Sequence, residues 1–119
     1  MKTSVIIPIW MTDDDKLEIV KNCVDSFRQT DIELIIVDNG STVGGGYMRD
    51  AADIYIRFPK NLGFTPAINV GIKVANGDIL ALANDDIRVP ANWESVCREI
   101  LKDPVVGSVH PKMTNYDTP

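Results

Sequence analysis

Short runs of consecutive apolar, often β-branched residues recur along this chain, and stretches of helical periodicity separate them. Ser4-Val5-Ile6-Ile7-Pro8, Glu33-Leu34-Ile35-Ile36-Val37-Asp38 and Asp78-Ile79-Leu80-Ala81-Leu82-Ala83 read as buried strands. Asp53-Ile54-Tyr55-Ile56-Arg57-Phe58 alternates, which predicts a strand with one exposed face, ended by Pro59. Leu17, Val20, Val24 and Phe27 form one helical stripe, widened by Ile19 and Cys23. Ala67, Val70, Gly71 and Val74 form a second stripe, closed by Asn76-Gly77. Trp93, Val96, Cys97, Ile100 and Leu101 form a third, stopped by Asp103-Pro104. Thr12, ahead of three aspartates, is the expected cap of the first helix, and Thr65-Pro66 is the expected start of the second. Gly44-Gly45-Gly46 reads as a flexible loop, residues 47–52 as a short helix and residues 105–109 as a last strand. The order β-α-β-(α)-β-α-β-α-β predicts an α/β fold: a mostly parallel sheet with helices on both faces.

The 119 residues suffice for one domain with one core, spanning 1–119. Its end is abrupt: Asn115-Tyr116-Asp117-Thr118-Pro119 has loop composition, so the domain is expected to be incomplete or a minimal form of a larger fold. The net charge of −5 and the scatter of Lys and Arg give no basic footprint for nucleic acid. An acidic protein that handles an anion needs a local device, such as a metal ion or a helix N-terminus. Cys23 and Cys97 lie on or beside apolar helix faces, far apart and without His or Cys neighbours. They read as reduced core residues rather than zinc ligands, which fits a reducing, cytoplasmic location. The start shows no signal-peptide apolar region, and no apolar run approaches the roughly 20 residues of a membrane span.

Asn84-Asp85-Asp86 follows directly on the apolar run Ile79-Leu80-Ala81-Leu82-Ala83. Two adjacent carboxylates beside a buried strand cost free energy unless a cation or a set of donors offsets them. A metal ion holding an anionic ligand is one explanation; a turn that merely ends the strand is the other. Topology bears on the choice, because ligands in open α/β sheets bind beyond the carboxyl ends of strands where the strand order reverses. With the first strand central, the second and third on one side and the fourth on the other, Pro8-Ile9-Trp10 faces Asn84-Asp85-Asp86. Asp38 then borders the same crevice, and residues 61–65 close another edge. No phosphate-binding glycine motif competes, and Ser41 is not placed as a nucleophile. His110, the lone histidine, reads as structural.

Four blocks together resemble glycosyltransferase family 2: Val5-Ile6-Ile7-Pro8; Leu34-Ile35-Ile36-Val37-Asp38-Asn39-Gly40-Ser41; Asn61-Leu62-Gly63-Phe64 running on to Asn69-Val70-Gly71; and Gly77-Asp78 through Asn84-Asp85-Asp86. They span essentially the whole chain. The resemblance implies a Rossmann-like GT-A fold and the donor-binding portion of an inverting glycosyltransferase. It implies a nucleotide-diphosphate sugar (a UDP-, GDP- or dTDP-sugar), a divalent cation, Mn²⁺ or Mg²⁺, and a glycan, lipid or protein acceptor. By match to the family, Pro8 and Trp10 line the base pocket and Asp38 hydrogen-bonds the base. Asp85 sits by the ribose and Asp86 binds the metal. Asn61 belongs to the donor-binding set, and it and Asn69 are expected to act by fixing loop geometry. Asn84 stands where the family's Asp-x-Asp motif has its first Asp, which lowers the ligand charge. Ile68 stands where the family often has a basic or polar residue. The family's catalytic base lies well beyond the Asp-x-Asp region; Asp117 has no claim to that role, and the base is unassigned. A nucleotide-sugar binding module without activity is the alternative, and a nucleotidyltransferase a weaker one that lacks its glycine-rich basic signature here. A homo-oligomer is left open.

Overall fold

The structure, a computed structural model, describes residues 2–114. Four strands, β1 (Thr3–Ile9), β2 (Glu33–Asp38), β3 (Ile54–Arg57) and β4 (Ile79–Leu82), form one sheet in the order β3-β2-β1-β4. Every pairing is parallel, so the chain returns across the sheet through helices. These are α1 (Leu17–Phe27), preceded by a 3₁₀ turn at Asp14–Lys16, then α2 (Gly45–Ala51), α3 (Phe64–Val74) and α4 (Trp93–Leu101). β1 is the hinge of this order, with β2 in register on one side (Ile6 opposite Ile35) and β4 on the other (Ile6 opposite Leu82).

The runs of β1 and β2 have no polar alternation because both faces are covered, whereas the third apolar run, β4, was expected to be buried and instead leaves Leu80 and Leu82 exposed at the edge of the sheet. Every residue of β1 and β2 is buried. Val5, Ile7 and Ile9, with Leu34 and Ile36, meet Val20, Cys23, Val24 and Phe27 of α1, Met48 of α2 and Trp93 of α4. Ile6, Ile35 and Val37 point the other way, onto Ala67 and Ile68 of α3. Each such Ile, Leu or Val stabilises the fold by roughly 1.5–3 kcal/mol relative to exposure to water. Gly71 lets α3 lie close to the sheet: a Cβ there would stand 2.4 Å from Ile6 Cγ2.

At the amino end of the sheet a buried polar clasp joins three segments. Glu33 accepts from Ser4 Oγ (2.8 Å), the Asn76 amide N–H (2.9 Å) and Asn76 Nδ2 (2.7 Å). Ser4 Oγ in turn accepts from the Gly77 N–H at 2.8 Å. Desolvation, the largest single influence, pushes the Glu33 carboxyl up. The donors from Asn76 and Ser4 and the charge of Lys2 outweigh it and hold the group below its ordinary value.

Several boundaries differ from expectation for local reasons. Asp13, not Thr12, caps the first helical segment, its Oδ1 accepting the Asp15 N–H at 3.0 Å. α3 begins at Phe64, one residue before Thr65, after Gly63 at φ +95°. Pro66 therefore falls third in the helix, where its missing N–H is still among the donors without an intrahelical partner. Gly45 and Gly46 are not loop but the first turn of α2, and Gly44 alone takes a left-handed conformation. Residues 105–109 form no strand. The chain leaving α4 folds on itself instead, with Val105 N–H on Asp103 Oδ1 and Val106 N–H on the Asp103 carbonyl, and Val105 is 86% exposed. The α4 stripe is only half used: Trp93 is buried, while Val96 and Ile100 are exposed. Cys23 is buried as expected, Cys97 only partly. The loop expected at residues 115–119 lies outside the described residues.

Two outcomes follow from this packing. Gly71→Ala forces Ile6 or the helix to shift and lowers stability by roughly 1–3 kcal/mol in urea unfolding; an unchanged midpoint contradicts the close approach. Because Glu33 titrates lower in the folded than in the unfolded state, its contribution is complete above the ordinary value of 4.5 and is lost as pH falls through the depressed folded value. The stability gap between wild type and Glu33→Gln therefore closes on acidification; a gap independent of pH contradicts the clasp.

Candidate functional site

Strand order reverses beside β1, so the loops leaving β1 and β4 diverge and open a cleft of about 290 Å³ at the carboxyl ends of the strands. Pro8, Ile9 and Trp10 supply one wall from the end of β1. Asn84, Asp85 and Asp86 supply the facing wall from the end of β4, and Asn39, Asn61, Gly63 and Phe64 close the side next to β2. Lys16, from the turn before α1, completes the lining. Five of the six residues expected from the sequence, Pro8, Trp10, Asn61, Asp85 and Asp86, thus share one concavity. The sixth, Asp38, does not line it.

The turn at Asn84-Asp85-Asp86 is held from below. The Ala83 N–H makes a last backbone bond to the Ile6 carbonyl (3.0 Å). Beyond it, the buried Cys23 thiol of α1 reaches the Asn84 carbonyl at 3.4 Å. Burial pushes that thiol up to about 12, a hydrogen bond from the Ile87 backbone opposes the shift, and the charges of Asp85 and Asp86 add to it. Cys23 is therefore a neutral prop under the turn and not a nucleophile.

The two carboxylates of the turn are in different states. Asp85, 13% exposed, is paired at 2.7 Å with Lys16 Nζ, which also donates to the Trp10 carbonyl at 3.1 Å. Asp86 is exposed and has no hydrogen bond or ion pair among the described residues. Trp10 is 47% exposed, so its indole is offered to the cleft and not spent in the core; Phe64 is similarly exposed across from it.

The loops beside β2 are fastened to each other. Asn39 accepts the Leu62 N–H (2.9 Å) and donates to the Gly63 carbonyl (3.0 Å). Asn61 Oδ1 accepts the Gly63 N–H at 2.8 Å, a local turn that shapes its own loop. Gly40, at φ +79°, allows the Lys60 backbone to approach to where a Cβ would stand 2.6 Å away. Ser41 Oγ accepts the Met11 N–H at 2.9 Å, tying the end of β1 to the same frame.

Asp38 is fully buried below this frame. Its Oδ1 accepts the Ser41 N–H (2.9 Å), and its Oδ2 accepts from Tyr55 Oη (2.5 Å) and Arg57 Nη1 (2.8 Å). Desolvation acts to raise its carboxyl most strongly, but the hydroxyl of Tyr55, both contacts of Ser41 and the Arg57 guanidinium hold it below the ordinary value. His110 does not line the cleft.

Among the described residues, no cluster of three or more His, Cys, Asp or Glu side chains is placed to hold a metal ion by itself. The free Asp86 carboxylate and the neighbouring Asn84 amide are nonetheless hard oxygen donors in an open turn. Such donors suit Mg²⁺ or Mn²⁺ when waters and ligand oxygens complete the shell. Sequence reasoning missed Lys16 and Asn39 as cleft residues, while Phe64 lies in the 61–65 edge it expected. Asn39 sat inside a block already noted, whereas Lys16 belongs to no motif, and only the folded path of the chain brings it to Asp85.

Among the described residues, no helix is long and apolar enough to cross a membrane. The family model described as glycosyl transferase family 2 matches residues 4–117. The glycosyltransferase GlyG of Streptococcus pneumoniae is 32% identical over 96% of this chain, and the glycosyltransferase YibD of Escherichia coli is 31% identical over 86%. The chain spans 40% of the length of the first and 31% of the second. The crystal structure of S. aureus TarS (residues 1–349) has a TM-score of 0.70 to this fold at 19% identity, covering 94% of this chain and 39% of that one. The fold class expected from the sequence, an α/β GT-A arrangement, is the one observed. A family match over nearly the whole chain agrees with a cleft formed where the sequence blocks converge: the chain belongs to glycosyl transferase family 2.

Proposed function

We propose that the cleft binds a nucleotide-diphosphate sugar together with Mn²⁺ or Mg²⁺, and that the chain is the donor-binding portion of an inverting glycosyltransferase. The observation that carries this reading is the free Asp86 carboxylate in a cleft at the sheet's switch point, facing the exposed indole of Trp10. Trp10 offers a ring face to a base, with Pro8 shaping the pocket floor. Asp85, once released from Lys16, has two acceptor oxygens for ribose hydroxyls. Asp38 lies outside the lining with its donors already in place, so it serves the base end by holding the Ser41 turn and Arg57 and not by the direct contact that the family match implies. Its carboxylate is fully covered, and Arg57, 45% exposed, is the partner most free to yield to a ligand. Asn61 keeps the facing loop in shape.

A divalent ion would be held by Asp86, with diphosphate oxygens and waters, and supplies a Lewis acid for charge developing on the leaving diphosphate. Neutralising that charge where water is partly excluded is worth more than in bulk solvent. Inversion also requires a base for the acceptor hydroxyl. Asp85 and Asp86 are the only carboxylates in the described lining, and both serve the donor in this reading. That shortage favours one second reading, a donor-binding module without transfer activity of its own.

Calorimetry with UDP-, GDP- and dTDP-sugars, with and without Mn²⁺, tests the proposal. One of the nucleotides binds in a metal-dependent way, and Asp86→Ala weakens that binding about tenfold or more, roughly 1.4 kcal/mol. Equal affinity in that variant contradicts the metal assignment. The two aspartates separate in stability as well. Asp86→Ala leaves urea unfolding within about 0.5 kcal/mol of wild type. Asp38→Ala strands the Tyr55 hydroxyl and the Ser41 N–H and costs roughly 1–3 kcal/mol.

A further inference from the structure

Lys16 is the one basic residue in the described lining of the cleft, and its ammonium is committed to Asp85. Three aspartates, Asp13, Asp14 and Asp15, precede it in the same segment, yet Nζ reaches across the cleft to a residue 69 positions later (85 − 16). A second acceptor, the Trp10 carbonyl, fixes that direction. Asp85 is largely shielded from water, so the pair is not an ordinary exposed salt bridge.

The pairing changes what the turn can hold. Without Lys16, Asp85 and Asp86 would be adjacent carboxylates with no base in the described lining of the cleft, an arrangement that favours a dication. With Lys16 in place, the charged side chains of the lining are two acids and one base, a net −1, and only Asp86 is free. A dication entering alone meets an ammonium beside its ligand. A nucleotide diphosphate brings enough negative charge to satisfy both. The lysine stem is flexible and its donors rotate, so Nζ can leave Asp85 for a phosphate oxygen without disturbing a helix or strand.

We propose that Lys16 is a specificity-determining residue that makes uptake of the divalent ion conditional on the nucleotide diphosphate. It guards Asp85 in the free protein and transfers to the diphosphate when the ligand arrives. This inference rests on the donor-binding reading above. Binding of the ion and of the nucleotide is therefore synergistic, and the synergy is reciprocal.

The test measures Mn²⁺ binding by electron paramagnetic resonance, with and without UDP or GDP as the probe, in wild type, Lys16→Met and Lys16→Arg. Wild type binds Mn²⁺ alone weakly, and the nucleotide tightens it about tenfold or more. Lys16→Met, which keeps the stem and removes the charge, binds Mn²⁺ alone about tenfold more tightly, and the gain from the nucleotide shrinks by a similar factor. Lys16→Arg keeps the wild-type coupling. In an Asp85→Asn background, Lys16→Met raises the affinity for Mn²⁺ alone by a clearly smaller factor than in the wild-type background, because only the repulsion of the ammonium is removed and no second carboxylate is released. Wild-type Mn²⁺ affinity and coupling in Lys16→Met overturn the role of Lys16 and leave the donor site standing. Absence of any nucleotide-dependent Mn²⁺ binding in wild type overturns the donor site itself.

Discussion

The structure depends on β1 being buried on both faces and paired on both edges. Ser4 to Ile9 has no solvent-facing side chain, so its neighbours must be strands and its covers must be helices. β2 takes one edge and β4 the other, and because all three run parallel their carboxyl ends share one rim. The chain must leave β1 and β4 toward different helices. The resulting gap is where Trp10, Lys16 and the Asn84-Asp85-Asp86 turn meet. The site is therefore a consequence of the core's topology, and the core does not have to be weakened to make it.

Around that gap the acidic groups have divided roles. Glu33 and Asp38 are buried and fully supplied with donors, and both titrate low for that reason despite the desolvation that acts against them. They hold segments together at opposite ends of β2. Asp85 is half committed, to one lysine. Asp86 is exposed and has no hydrogen bond or ion pair among the described residues, the state expected of a residue that waits for a ligand. Cys23 fixes the height of the turn without contributing chemistry of its own.

Most of the fold was legible in the chain because its signals are local. The uniform apolarity of Leu34 to Val37 announced a strand covered twice, and the stripe of α1 its inner face. The central place of β1 was a supposition about strand order, and the observed order agrees with it. What failed were boundaries decided by competing local bonds. Asp13 outcompetes Thr12 because its carboxylate reaches Asp15 N–H, and the turn at Asp103 takes up the N–H groups of Val105 and Val106, the first two of the expected last strand. In the site, Pro8, Trp10, Asn61, Asp85 and Asp86 were readable from position at strand ends. Lys16 was not, because its partner is distant in sequence and its neighbours are acids that offer nearer pairing. Nor was the depth of Asp38, which depends on Tyr55 and Arg57 reaching back from β3.

The central claim is that one rim of the sheet, at the switch point, holds a nucleotide diphosphate and a divalent ion together. Paramagnetic broadening of backbone amide signals by Mn²⁺ in the presence of a nucleotide diphosphate reads the ion's position directly. The account predicts selective loss of the signals of Asn84, Asp85, Asp86, Trp10 and Lys16, with the signals of Asn76 and Gly77 at the far end of the sheet preserved. Broadening centred on Asp13, Asp14 and Asp15 alone, or spread over the acidic surface and indifferent to the nucleotide, would contradict it.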